Sequence, residues 1–341
     1  MKTVAILTGG GDAPGLNAVI RAFARRSLPR GYRLVGIRRG WLGLLNRETV
    51  ELDAKATSGI LHRGGTILGT SRTNPYKKAE DARAVEASFK ALGLDALVAV
   101  GGEDTLGVAA KLSSAGFPVV GVPKTIDNDL SGTDITFGFD TAVSIATDAI
   151  DRLHSTAESH DRVIVCEVMG RHAGWIALHS GMAGGADYIL VPERPIDIAS
   201  VCDAVTRRRE RGLRFSIIVA AEGAMLPEGE IKKSGDTDAF GHVKLGGIGE
   251  RLAAEIERRT GCETRSVQLG HVQRGGTPTA FDRWLGSRYG LLAADMVHDG
   301  SFGMMAAYRG GVFAPVPLAA AVAELKTVPP ALLDLASALF G

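Results

Sequence analysis

Cysteine is scarce. Cys166, Cys202 and Cys262 are the three in 341 residues, far apart and outside any Cys-x-x-Cys pair. That pattern leaves no disulfide framework and no structural zinc site of ordinary spacing, and it suits a reducing compartment. Charge of one sign is also lacking: 39 Lys plus Arg face 38 Asp plus Glu, a formal net charge of +1. A general nucleic-acid binder carries a strong basic surplus, so that class is set aside, although a local basic pocket is not. No stretch approaches the roughly 18 consecutive apolar residues of a membrane span. The opening Met1–Gly9 holds an apolar run too short for a signal peptide and breaks at once into glycines. A cytoplasmic protein with no nucleic-acid or membrane partner is therefore expected.

Glycine, by contrast, is abundant: 44 residues, about twice the ordinary share of roughly 7%. They fall in short GG and GGG groups without a collagen-like period, which marks tight turns and close backbone approaches. Hydrophobic residues at 45% and charged residues at 23% are enough to bury a real core. The length is about twice that of a typical domain, so two lobes or one large α/β unit is expected.

Short Val, Ile and Leu runs alternate with amphipathic stretches along the chain. Val4–Leu7, Leu34–Ile37, Ala96–Val100, Val119–Val122, Val163–Val165, Tyr188–Val191, Phe215–Val219 and Val267–Leu269 read as strands covered on both faces. Leu16–Arg26, Ala79–Leu92, Thr105–Ser113, Thr141–Ser155, Ile198–Arg211 and Ile248–Thr260 read as helices. The order predicts a doubly wound α/β fold with mainly parallel sheets. Gly229–Gly247, with charged residues among its glycines, reads as a mobile polar loop, and Thr70–Lys78 as a basic turn. The Ala- and Pro-rich tail from Ala314 is expected to end in a short packing helix.

Three glycine or acid turns follow predicted strands. Gly9-Gly10-Gly11-Asp12-Ala13-Pro14-Gly15 joins a strand to a helix, a natural anion site or simply a tight turn. It is neither a P-loop nor a dinucleotide fingerprint, because no Lys-Ser/Thr follows and Pro14 replaces the third glycine. Gly101-Gly102-Glu103-Asp104-Thr105 brings two acids to such a turn. Carboxylates repel an anionic ligand unless a divalent cation bridges them, and magnesium normally takes one or two carboxylates plus phosphate oxygens. Capping by Asp104 would explain one acid but not both. Lys124-Thr125-Ile126-Asp127-Asn128-Asp129 follows a buried strand, and extended geometry would put Thr125, Asp127 and Asp129 on one side. A hydroxyl and two carboxylates there suit a general base with metal or substrate contacts. Arg162, Arg171, Arg265, His271 and Arg274 supply basic groups at strand-to-loop junctions, where Arg grips phosphate bidentately.

Taken together, GGGDAPGLNAVIR, GGTILGTSR, GGEDT, PKTIDND, EVMGRHAGW, GGADYILVPE, AAEGA and GHVQRGG strongly resemble the phosphofructokinase family, in order and spacing, from about Lys2 to Arg309. The resemblance implies two Rossmann-like three-layer lobes around a cleft. Residues 1–138 plus 273–320 would form the larger lobe, for phosphoryl donor and magnesium. Residues 139–272 plus 321–341 would form the smaller, for fructose 6-phosphate. It also implies phosphoryl transfer to the sugar 1-hydroxyl, with Mg2+ as cofactor.

Two positions speak to the donor. ATP-using members look like GGDGS and PGTIDND, where this chain has Asp104 and Lys124. That pair is similar to the diphosphate-dependent branch. The Asp104 carboxylate would stand where a nucleotide α-phosphate must pass, while diphosphate has no such group to clash. Lys124 would stabilise charge on the transferring phosphoryl group. The alternative is an ATP-dependent 6-phosphofructokinase that tolerates Asp104.

Residue by residue, the resemblance makes Asp127 the proton acceptor, with Thr125 and Asp129 beside substrate and metal. Glu103 matches a magnesium-binding Asp. Gly11 would offer its N–H to diphosphate, and Arg72 would contact the donor. Met169, Gly170 and Arg171 match the substrate loop, with Arg171 near the reacting centre. Glu222 matches a sugar-hydroxyl contact. His271 and Arg274 match fructose 6-phosphate contacts, whereas Arg162 and Arg265 resemble residues that reach the 6-phosphate from a neighbouring subunit. A homodimer or homotetramer with shared active sites is thus expected.

Overall fold

The computed structural model describes residues 1–226 and 247–340, so most of the polar stretch read at Gly229–Gly247 lies outside the described residues. The chain opens as β1 (Thr3–Thr8), α1 (Leu16–Ser27), β2 (Arg33–Ile37), α2 (Gly40–Asn46) and β3 (Thr49–Glu51). It continues through α3 (Ala79–Ala91), β4 (Ala96–Gly101), α4 (Glu103–Ser114) and β5 (Val119–Pro123). The long α5 (Phe139–Ser159) then leads into a second set: β6 (Val163–Val168), α6 (Trp175–Ala183), β7 (Tyr188–Leu190), α7 (Ile198–Glu210), β8 (Ser216–Ala221), α8 (Ile248–Thr260) and β9 (Thr264–Gln268). The chain closes with α9 (Ala280–Asp299), β10 (Met304–Arg309), β11 (Val312–Pro317), α10 (Leu318–Ala321) and α11 (Pro330–Ser337). No helix among the described residues is long and apolar enough to cross a membrane.

The strands form two sheets. The larger runs β11-β10-β5-β4-β1-β2-β3, and the smaller β7-β8-β6-β9. Among the described residues, all pairings in the smaller sheet are parallel, as are those of the five central strands of the larger one; only the edge strands β3 and β11 pair antiparallel. The fold class is therefore α/β with mostly parallel sheets, as expected.

Unbroken apolar runs follow from burial on both faces. In β1, Val4 and Ile6 pack against Phe23 of α1 and Tyr289 of α9, while Ala5 and Leu7 face Leu106 of α4 and Trp41 of α2. In β8, Ile217 and Val219 face one layer and Ile218 and Ala220 the other. Each such Ile or Leu side chain contributes roughly 1.5–3 kcal/mol.

Some elements differ from the sequence reading. The last strand of the smaller sheet begins at Thr264 rather than Val267, because β9 is an edge strand where Arg265 faces out. The stretch from Ala314 starts inside β11, so the tail is strand first and packing helix only at α11. α2, α6 and α9 are helices that the sequence pattern does not announce. α9 is buried on several sides, and its Gly290 lies against α1, where a Cβ would meet Val19 O at 2.4 Å.

Candidate active site

Open parallel sheets bind ligands at the carboxyl ends of their strands, where chain order reverses and neighbouring loops diverge. In the larger sheet that reversal lies between β1 and β4, and in the smaller between β6 and β9. The loops leaving both points open onto one cleft of about 450 Å³.

The larger sheet contributes three turns. Past β1, Gly9 N donates to Val100 O at 2.9 Å, which ties this turn to the end of β4. Gly10 N donates to Ser71 O at 3.1 Å, and Thr70 Oγ1 donates to Gly10 O at 2.6 Å, so the 70–72 segment brings Arg72 to the cleft. Past β4, Gly102 opens α4 without a side-chain cap, and Glu103 and Asp104 occupy its first turn, where the helix dipole favours carboxylates. Asp104 is thus not the cap residue.

Past β5, Lys124 is only 3% exposed, and its ammonium donates to Gly11 O. Thr125, Asp127 and Asp129 all line the cleft, but a turn rather than strand alternation brings them there. Asn128 has φ 53°, and its Oδ1 accepts from Thr136 N at 3.1 Å, which sends the flanking acids to one side.

The smaller sheet supplies the opposite wall. Met169 and Arg171 follow β6, Glu222 follows β8, and His271 and Arg274 follow β9. Gly170, between two lining residues, has φ 134° and does not itself line the cleft. Glu222 N donates to Val168 O at 2.8 Å, which fixes the loop after β8 against the end of β6. Arg274 reaches across to the first turn: Nη1 donates to Asp12 O at 3.2 Å and lies 2.9 Å from where a Cβ on Gly11 would sit. A side chain at 11 would push the Arg274 guanidinium aside, a shift its flexible chain can make.

Charge is concentrated and partly suppressed. Burial lowers Lys124 to about 7, with Arg274 adding to the effect and Asp12, Asp127 and Asp129 opposing it. Burial, then the Asp127 and Glu103 carboxylates, holds Asp129 well above the usual carboxylate range. Glu222 is raised to about 7 by burial and Asp127, against the pull of Arg171 and Arg274. Asp127 Oδ1 is buried with no hydrogen-bond partner among the described residues, an acceptor left open beside the cleft.

A divalent cation fits this acid group. Both Glu103 and Asp127 raise Asp129, so a cation among them would relieve repulsion. Among the described residues no three metal-binding side chains gather as a cage. Magnesium beside phosphates does not need one.

Two expected residues stand elsewhere. Arg162 precedes β6 and pairs with Glu263 at 2.7 Å, and Arg265 in β9 pairs with the same carboxylate at 2.6 Å. They lie at the far end of the smaller sheet from Arg171, about 20 Å along β6. Thr105 and His172 also line the cleft. Both stand inside motifs quoted above, and Thr105 has a steric signal: Cβ atoms on Gly9 and Gly101 would meet its side chain at 2.6 and 2.3 Å.

Two switch points, glycine turns and a cleft lined by cations and acids together define an α/β enzyme of the phosphoryl-transfer class. Residues 3–297 match the model described as "Phosphofructokinase". The chain belongs to the phosphofructokinase family. It is 60% identical, over 99% of both chains, to a pyrophosphate–fructose 6-phosphate 1-phosphotransferase of Streptomyces coelicolor. It is also 53% identical, over 96% of this chain and 97% of the relative, to ATP-dependent 6-phosphofructokinase 3 of the same organism. The crystal structure of Pichia pastoris phosphofructokinase superposes with a TM-score of 0.84 at 33% identity, covering 94% of this chain; this chain spans 35% of that longer one.

Proposed function

We propose that the chain transfers a phosphoryl group from diphosphate to the 1-hydroxyl of D-fructose 6-phosphate, giving fructose 1,6-bisphosphate and phosphate, reversibly. The observation that carries the donor is the pairing of Asp104 and Lys124 on one wall of the cleft, with Lys124 Nζ on the Gly11 carbonyl. A carboxylate in the first turn of α4 takes the room of an α-phosphate, and the lysine supplies the charge that a two-phosphate donor needs. The 60% identical relative named for pyrophosphate supports this reading. The 53% identical ATP-dependent relative keeps ATP as the rival donor.

In the proposed reaction Asp127 accepts the proton of the sugar 1-hydroxyl. The freed oxygen pair attacks the terminal phosphorus as the bridging P–O bond breaks, and phosphate departs with that electron pair. Asp127 Oδ1, without a hydrogen-bond partner among the described residues, supports this role. Lys124 and Arg171 stabilise the transferring group. Gly11 and Arg72 hold the donor. Met169, Glu222, His271 and Arg274 hold the sugar phosphate, with Gly170 turning the loop between Met169 and Arg171 and with Thr125 and Asp129 beside it. Glu103 would hold magnesium, which when bound neutralises phosphate charge.

The proposed lobes are residues 1–138 plus 273–320 for the donor and 139–272 plus 321–341 for the sugar phosphate. Arg162 and Arg265 would serve a neighbouring subunit's cleft, which makes a homodimer or homotetramer the working unit.

Initial rates with diphosphate and with ATP at equal magnesium test the donor. Diphosphate should be preferred by a wide margin; a preference for ATP overturns the reading. Asp104→Gly should open ATP use, and Lys124→Gly should abolish diphosphate activity.

A further inference from the structure

Between α10 and α11 the chain crosses from one half of the cleft to the other, and the crossing residues bind both halves. On the side of the acid turn, Ser131 Oγ donates to Glu324 O at 2.7 Å, and Leu130 and Leu325 form an isolated antiparallel bridge. Lys326 N then donates to Asp129 O at 2.8 Å. The Lys326 ammonium donates to Asn128 Oδ1 at 2.9 Å, Thr133 O at 3.0 Å and Asp134 O at 2.9 Å. On the other side, Lys326 O accepts from Trp175 Nε1 at 2.9 Å, and the ammonium lies 5.7 Å from the centre of that indole ring. Two residues on, Val328 N donates to Glu193 Oε1 at 2.8 Å, and the same carboxylate oxygen accepts from Gly174 N at 2.9 Å.

We infer that Lys326 is a positioning residue for phosphoryl transfer: it clasps the Asp127–Asp129 turn to the Arg171–Trp175 loop and so fixes the proton acceptor against the substrate loop. The inference rests on the proton-acceptor role proposed for Asp127. Asp127 Oδ1 has no hydrogen-bond partner among the described residues, so the backbone of its turn sets its direction. That turn passes through Asn128 in the left-handed region, and Lys326 holds the Asn128 side chain and the next carbonyl together. The substrate loop is held through the backbone oxygen of the same residue. Loss of the ammonium therefore loosens the acid turn, leaving Thr136 N on Asn128 Oδ1 and Lys326 N on Asp129 O, and loss of the indole N–H loosens the loop, leaving Gly174 N on Glu193. Burial lowers Lys326 to about 8, against the Asp129 and Asp134 carboxylates, which draw it up.

Steady-state kinetics of Lys326→Met, Trp175→Phe and the double variant, with magnesium, diphosphate and fructose 6-phosphate, test this, with far-UV melting to score the folded fraction. Lys326→Met should lose about tenfold to a hundredfold in kcat per folded enzyme. Its KM for diphosphate should stay within about twofold, because the clasp does not touch the Gly11 wall. Lys326→Arg should recover part of kcat. The double variant should fall no more than about twofold below Lys326→Met, since both changes open one clasp. Folded Lys326→Met with wild-type kcat, or a loss explained by unfolded protein alone, overturns the inference. If Lys326→Met does not fold, Trp175→Phe decides: it keeps an aromatic ring and removes one donor, and an unchanged kcat refutes the clasp. Asp127→Asn is run alongside. If it retains turnover, the proton-acceptor reading fails, whatever Lys326 does.

Discussion

At Lys124 the competition between burial and anion attraction can be read in solution. Its ammonium, on the Gly11 carbonyl and near Arg274, is lowered to about 7. A bound anion favours the charged form and draws that value back up, so binding diphosphate takes up a proton. Affinity is then full below about pH 7 and weakens as pH rises, by up to about tenfold per unit. Diphosphate itself titrates, so the ratio of wild-type to Lys124→Met affinity is the quantity to follow; it should shrink between pH 7 and 9, and a constant ratio counts against the assignment. Replacing Asp127 by Ser should cut kcat by about a hundredfold to ten-thousandfold while fructose 6-phosphate still binds, as calorimetry would detect. The acids after GG, the Lys and Asp after a buried strand, and the basic residues at strand ends were legible because motif chemistry is local; Arg72, Met169 and Glu222 came only from the resemblance to the phosphofructokinase family. Thr105, although inside the GGEDT motif, is marked only by a steric role, filling space left by Gly101 four residues earlier and by the distant Gly9.

Among the elements, strands were easier to read than helices because burial on both faces writes an uninterrupted apolar run. α9 gives a weak signal: its buried residues surround the axis, and its interior glycines look like breaks. The glycines exist for α1, whose backbone lies against Gly290. Gly290→Ala should therefore destabilise, since overpacking against backbone costs about 1–3 kcal/mol and outweighs a helix-propensity gain of about 1 kcal/mol. A Cβ at Gly107 in α4 meets no described atom within 4 Å, so Gly107→Ala should raise the melting temperature instead. Thermal melts of the two variants, moving in opposite directions, would check the packing argument. The same contrast explains β9: an edge strand needs fewer apolar residues, so its polar start resembles a loop.

On the scale of the whole molecule, the question is whether one chain completes its own cleft. Arg162 and Arg265 stand about 20 Å along β6 from Arg171, and both turn toward Glu263. Mixing two inactive proteins, Asp127→Ser and Arg162→Ala/Arg265→Ala, should restore turnover after subunit exchange. The hybrid would then contain one cleft with an intact acid and intact arginines; no recovery after demonstrated exchange would mean that each chain serves itself. The sequence by itself determined the α/β class, because backbone propensity and two-faced burial act over a few neighbouring residues, and its ordered motifs carried the family and most of the residues around the cleft. Only the tertiary structure decided that Arg162 and Arg265 share the Glu263 carboxylate, that Gly290 receives α1, and that Lys326 joins both walls. Those relations depend on which distant segments meet, and sequence separation alone carries no record of that distance.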